Sequence, residues 1–159
     1  MKTAPITVLL IFLILSAFPA IAGEQKSISD TYTISLGEGM SLHMTVAPFE
    51  PKKHKITKCQ IIDWSGICLI DGKPVFGTDW GLPRNQLVQA ELRTGAKAIN
   101  LDISCMYNVT ATPQDFTLQK VEGGYLIRGH FSDGAGSYEA EWLIIQNSSV
   151  RTRLANKGC

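Results

Sequence analysis

This sequence predicts an all-β fold, an antiparallel β-sandwich or open barrel built of hairpins and a meander, on three observations. Short runs of β-branched and aromatic residues alternate with clusters of Gly, Asp, Asn and Pro. Nothing reads as a long amphipathic helix with its 3.6-residue apolar period. When neighbouring runs are folded into hairpins, their apolar positions agree in register. That agreement is a strict test, because a slip of one residue sends every side chain to the opposite face.

Residues 1–22, MKTAPITVLLIFLILSAFPAIA, read as a cleavable secretory leader. Lys2 is the positive head, an apolar run extends from Ile6 to Phe18, and Ala20-Ile21-Ala22 supplies the small-x-small cleavage site. The run is shorter than the roughly 20 residues that span a bilayer, and no second one follows, so no membrane span is expected in the mature chain. No cysteine follows the cleavage site and no twin arginine precedes the run, so the expected route is general export to the periplasm or outside the cell. Removing 22 of 159 residues leaves 137, and residues 23–159 are expected to form a single β domain. The leader carries one of the 15 basic residues and none of the 14 acidic ones, so the mature chain has 14 of each and no net charge. Such a balance gives no support to nucleic-acid binding. Two local basic stretches remain, Lys52, Lys53, His54, Lys55 and Lys58, and then Arg151, Arg153 and Lys157. They read either as solvated charge or as docking sites for an acidic partner.

The expected strands are Thr31–Leu36, Met40–Ala47, Lys55–Ile62, Ile67–Ile70, Gln86–Thr94, Lys97–Cys105, Asp115–Val121, Gly124–Phe131 and Tyr138–Ile145. A two-residue turn at Gly95-Ala96, with Gly at the first central position of a type II′ turn, pairs Leu92/Ile99, Ala90/Leu101, Val88/Ile103 and Gln86/Cys105. A turn at Glu122-Gly123 sets Leu118 against Ile127, Phe116 against Gly129 and Lys120 against Tyr125, and the glycine leaves room for the phenylalanine ring. Across the loop Ser132–Ser137 the pairs are Phe131/Tyr138, Gly129/Ala140, Ile127/Trp142 and Tyr125/Ile144. These registers direct Ile99, Leu101, Ile103, Leu118, Ile127 and Trp142 into the core.

Cys59, Cys68, Cys105 and Cys159 are an even set in a chain sent to an oxidising compartment, so two disulfides and no free thiol are expected. Three pairings are possible. Cys59–Cys68 with Cys105–Cys159 is favoured because the first brackets a short turn-rich segment and the second ties down the chain end. The absence of a C-x-x-C pair argues against a metal site.

Candidate chemistry is sparse. The polar face of the last meander places Asp115, His130 and Glu139 in one row and Thr117, Arg128 and Glu141 in the next. That pattern could bind a metal or relay a proton, but cross-strand charge pairing on a wet sheet face explains it better. Met40, His43 and Met44 suggest a copper site, yet strand parity puts the methionines with Leu42 and Val46 and turns His43 to the other side. There is no G-x-S-x-G elbow and no phosphate loop between a strand and a helix. No catalytic residue, metal ligand or cofactor is therefore assigned. Asn108-Val-Thr110 and Asn147-Ser-Ser149 match the glycan-acceptor pattern, but beside a bacterial-looking leader they carry no meaning.

The segment Asp63–Asn85, DWSGICLIDGKPVFGTDWGLPRN, stands apart. It combines Trp64, Phe76 and Trp80 with repeated turn residues and a disulfide end. Aromatics on a constrained loop bury much area at small entropic cost, so Trp64, Phe76, Asp79 and Trp80 are the candidate partner-binding residues. The alternative is that the rings fold back as a lid over an open end of the sandwich. In size, leader, paired cysteines and lack of a catalytic set, and in the Cys59–Asn85 region, the chain resembles the small periplasmic immunity proteins with which bacteria neutralise toxins. The resemblance implies a stoichiometric inhibitor of a protein partner, without cofactor or turnover. The alternative reading is a periplasmic binding module for a metal or cell-envelope ligand.

Overall fold

A computed structural model describes residues 29–61, 63–110 and 112–156, without the side chains of Ile61 and Trp64. The leader and Cys159 lie outside the described residues. In chain order the strands are β1 (Asp30–Gly37), β2 (Met40–Pro48), β3 (Ile56–Ile61), β4 (Trp64–Ile70), β5 (Lys73–Pro74), β6 (Asn85–Thr94), β7 (Lys97–Asn100), β8 (Phe116–Val121), β9 (Gly124–Phe131), β10 (Tyr138–Ile145) and β11 (Ser148–Asn156). They build two four-stranded antiparallel sheets, β1-β2-β6-β7 and β11-β10-β9-β8, and a small third sheet, β3-β4-β5. At the two sides of the sandwich β1 runs beside β8 and β7 beside β11. Among the described residues no ladder closes either side into a barrel.

The inward faces follow from period-two alternation. On β2, Met40, Leu42, Met44 and Val46 are buried, while Ser41, His43 and Thr45 face outward. Opposite them the second sheet contributes an aromatic stack. Phe131 lies 5.3 Å from Tyr138 in a parallel arrangement and meets Phe116 and Trp142 edge-on. The stack depends on Gly129, where an added Cβ would come within 2.7 Å of both the Phe116 and Phe131 rings. Each fully buried side chain of this size removes enough apolar surface to stabilise the fold by about 1.5–3 kcal/mol before entropy is counted.

Both registers of the last meander are those the apolar pattern requires, from Leu118/Ile127 and Phe116/Gly129 to Ile127/Trp142 and Tyr125/Ile144. The β6–β7 hairpin departs from expectation. Thr45 pairs with Gln89 and Val46 with Leu87, so Val88 is the extra residue of a β-bulge. The bulge inverts the alternation, turning Leu87 inward and leaving Val88 46% exposed. The expected strand Lys97–Cys105 ends at Asn100. Leu101 N–H still donates to Ala90 O, but the Asp102 carboxylate then accepts the Ser104 N–H and the chain turns away. Tyr107, not Cys105, comes to lie opposite Gln86, so the expected pairs Val88/Ile103 and Gln86/Cys105 do not form. Ile103 and Leu118, expected in the core, are half-buried against it, whereas Ile99, Leu101, Ile127 and Trp142 are buried.

Two strands escaped the sequence reading. β5 is only two residues long. β11 carries polar residues at most positions and pairs with the whole of β10, Thr152 being the extra residue of a second bulge. The start of the expected strand at Asp115 is also corrected. Asp115 closes a capping box, its carboxylate accepting from the backbone N–H and the hydroxyl of Thr112, and β8 begins one residue later.

Among the described residues there is one disulfide, and the expected Cys105–Cys159 pair is not formed at Cys105. Cys59–Cys68 joins β3 to β4 with 5.7 Å between Cα atoms. Cys105 is a free, half-buried thiol. Its turn is held instead by Arg151 on β11, whose guanidinium donates to Ser104 O at 2.6 Å and to Ser104 Oγ at 3.0 Å. Alkylation of the denatured but unreduced protein should therefore label the Cys105 peptide and leave Cys59 and Cys68 linked. Mass spectrometry finding Cys105 unlabelled would overturn this assignment. Replacing Cys59 and Cys68 together by alanine should cost about 2.5 kcal/mol, the entropy of opening so short a loop, read as a lower urea midpoint.

The Tyr138 hydroxyl, buried among these rings, donates to Tyr107 O at 3.2 Å. Burial pushes the Tyr107 phenol up to about 12, with the Cys105 and Asp71 charges adding to it, and burial pushes Tyr138 further in the same direction. Both pKa values are raised on folding. Their contribution to stability is therefore complete below the ordinary phenol pKa of about 10 and is lost as pH climbs from there through the folded values. Thermal melts should show a falling Tm above pH 10, and Tyr138→Phe should flatten that fall. A Tm constant between pH 10 and 12 would contradict the burial.

Candidate functional site

The segment Gly77–Arg84 connects β5 to β6 as a loop fastened at its base. Phe76, just before it, donates its N–H to Cys105 O, and its carbonyl accepts from Tyr107 N–H. Gly77 follows with φ +95°, packed so closely that a Cβ would meet the Tyr107 carbonyl oxygen at 2.0 Å. Asn108 then ties both ends together. Its Nδ2 donates to Gly77 O at 2.7 Å, and its Oδ1 accepts from the Arg84 N–H at 2.7 Å. Asn85 makes the reciprocal contact, its Oδ1 accepting from Val109 N–H while its carbonyl accepts from Asn108 N–H. The Asn108 amide thus clamps the two ends of the loop.

At the far end of the loop Trp80 has φ +63°, a left-handed conformation that costs about 1 kcal/mol for a residue with a Cβ. Its carbonyl accepts from Ile67 N–H at 2.8 Å, which docks the loop onto the free side of β4 below β5. The side chain stands 45% exposed, and Leu82 is 51% exposed. Beside Trp80 lies a cleft of about 310 Å³ lined by Ile67, Cys68, Val75, Phe76 and Trp80, together with Asp79 and Asn156. Asp79 is exposed and rests against Gly136, whose added Cβ would come 3.0 Å from Asp79 Oδ1.

The four candidates drawn from the sequence therefore separate. Trp80 and Asp79 share the exposed tip. Phe76 behaves as the lid reading required, half-buried against the core with its ring 6.2 Å from that of Tyr138. The Trp64 side chain lies outside the described residues. Leu82 and Asn108 were not singled out from the sequence. An isolated leucine in a loop carries no pattern, and Asn108 announced itself only through a glycan motif.

The rival constellations are largely paired, although His130 Nδ1 is buried without a hydrogen-bond partner among the described residues. Arg128 Nε donates to Glu141 at 2.6 Å and Thr152 Oγ1 to its other oxygen at 2.7 Å, which holds that carboxyl below the usual range. Glu139 faces His130 across the ladder and has Arg153 at 3.8 Å. The row does not include Asp115, which is engaged in its capping box. His43 sits between Thr33 Oγ1 and Ser41 Oγ on the outer face, away from the buried Met40 and Met44. His54 stacks on Phe49 and bonds Asp71 at 2.7 Å. The His54 contact, followed by the Lys55 backbone N–H, lowers the Asp71 pKa. Among the described residues no group of three or more His, Cys, Asp or Glu is placed to share a metal ion. Nor is any helix among them long and apolar enough to cross a membrane.

No family model, curated protein or solved structure matches this chain.

Proposed function

We propose that this chain is an exported, non-catalytic protein that binds and inhibits a partner protein through the Gly77–Arg84 loop, as a periplasmic immunity protein does with a toxin. The observation that supports this reading is the contrast between tip and base. Trp80 and Leu82 leave much of their apolar surface in water, while the backbone beneath them is fixed by Asn108, Asn85 and the contact with β4. A loop whose backbone is already fixed loses little conformational entropy on docking, so more of the area it buries becomes affinity. Asp79 adds a charge that can orient the partner.

The test is to isolate the partner by pull-down from the native host and compare affinities. Trp80→Ala should weaken binding by about 30-fold to 1,000-fold, the range of a hot-spot aromatic, with its circular dichroism spectrum unchanged. The reading fails if folded Trp80→Ala and Leu82→Ala proteins both bind as tightly as the parent.

A further inference from the structure

We infer that the basic stretch Lys52–Lys58 and the Trp80 loop form one docking surface, and that its partner is a protein presenting carboxylates around an apolar pocket. The inference rests on the loop-binding reading and adds the chemistry of the partner. Two hydrogen bonds join the parts. The carbonyl of Arg84, where the loop ends, accepts from Phe49 N–H, one residue before the Glu50 that opens the basic turn. At the other end Trp80 O accepts from Ile67 N–H, and Ile67 pairs across the ladder with Lys58. Lys58 on β3 and Trp80 in the loop thus flank Ile67 from the two sides of β4.

The charges along this border are unequal. Glu50 is taken by Lys53, and Asp71 by His54 and the Lys55 backbone. Lys52, Lys55, Lys58 and Arg84 are exposed and make no ion pair within 4 Å of a described carboxylate. Asp79 leans the other way, toward Gly136 in the β9–β10 connection. Lys52, Lys55, Lys58 and Arg84 therefore outnumber the exposed Asp63 of the β3–β4 turn along this border, and the apolar Trp80 lies across β4 from Lys58. Unpaired lysines at the rim of a hydrophobic patch steer an acidic partner to it and exclude basic ones.

The probe is a phage-displayed library of random dodecapeptides panned against the intact protein. Enriched peptides are expected to carry Asp or Glu beside an aromatic or aliphatic residue. Their affinity should fall about tenfold or more in Trp80→Ser and by a similar factor in the triple variant Lys52→Gln, Lys55→Gln, Lys58→Gln. It should also weaken as salt rises from about 50 to 300 mM, where screening shortens the reach of charge. Peptides that need Trp80 but lack carboxylates and ignore the triple variant would overturn the acidic partner and leave loop binding intact. Peptides that depend on the lysines and ignore Trp80→Ser would overturn the single surface and the loop reading together. A library yielding nothing sensitive to either change overturns both.

Discussion

Trp142→Ala is expected to destabilise the protein by about 4 kcal/mol, within the range for truncating a buried tryptophan. Trp142 is 1% exposed, stands opposite Ile127 on β9 and meets Phe131 edge-on. Its indole Nε1 donates to Asp102 O at 2.8 Å. This bond ties the second sheet to the turn after β7, so truncation both opens a cavity and takes away one donor from a backbone carbonyl. Arg151 Nη1 lies 3.4 Å from the same oxygen and offsets part of that loss. Trp142→Phe should keep most of the packing and cost about 1–2 kcal/mol, the share of the hydrogen bond. Urea unfolding followed by circular dichroism measures both. A Trp142→Ala protein within 1 kcal/mol of the parent would mean that Trp142 does not face the core.

Gly77→Ala should be nearly as damaging, and its damage should be local. The left-handed φ of +95° and the collision of a Cβ with Tyr107 O at 2.0 Å both oppose the side chain, at a combined cost of about 3 kcal/mol or more. Because Gly77 O also receives the Asn108 amide, the loop base must shift. Protease cleavage within Gly77–Arg84 should then rise sharply while the β8–β11 meander stays protected. Gly81→Ala, where the added Cβ meets nothing within 4 Å, is the matched control. Equal cleavage rates in the two variants would mean that the loop is not held at Gly77.

Much of this fold was legible because alternation is a local signal that survives tertiary context. Every pair of the β8–β9–β10 meander could be assigned from the positions of Phe116, Ile127, Gly129 and Trp142. The failures came where one residue breaks the alternation. Val88 and Ala90 have the parity of a shared face, and nothing local in LVQA marks the bulge that turns Val88 out. β11 was missed for the converse reason: Arg151, Thr152 and Arg153 supply no apolar period, and the strand is specified by its partner β10. The separation of Phe76 from Trp80 was also beyond the sequence, since it depends on the packing of Phe76 against Tyr138 and on the contact of Trp80 with β4. The second disulfide was inferred from even cysteine count, which constrains number but says nothing of the turn at Asp102–Cys105.

The Asn108 clamp has an evolutionary consequence. It grips the loop only by the backbone of Gly77 and Arg84, and so is indifferent to the side chains displayed between them. Thr78, Asp79, Gly81 and Leu82 form no part of the apolar cluster on which the sandwich depends. Substitution at the tip is therefore decoupled from foldability, so its displayed side chains can change one at a time while the frame beneath them stays intact.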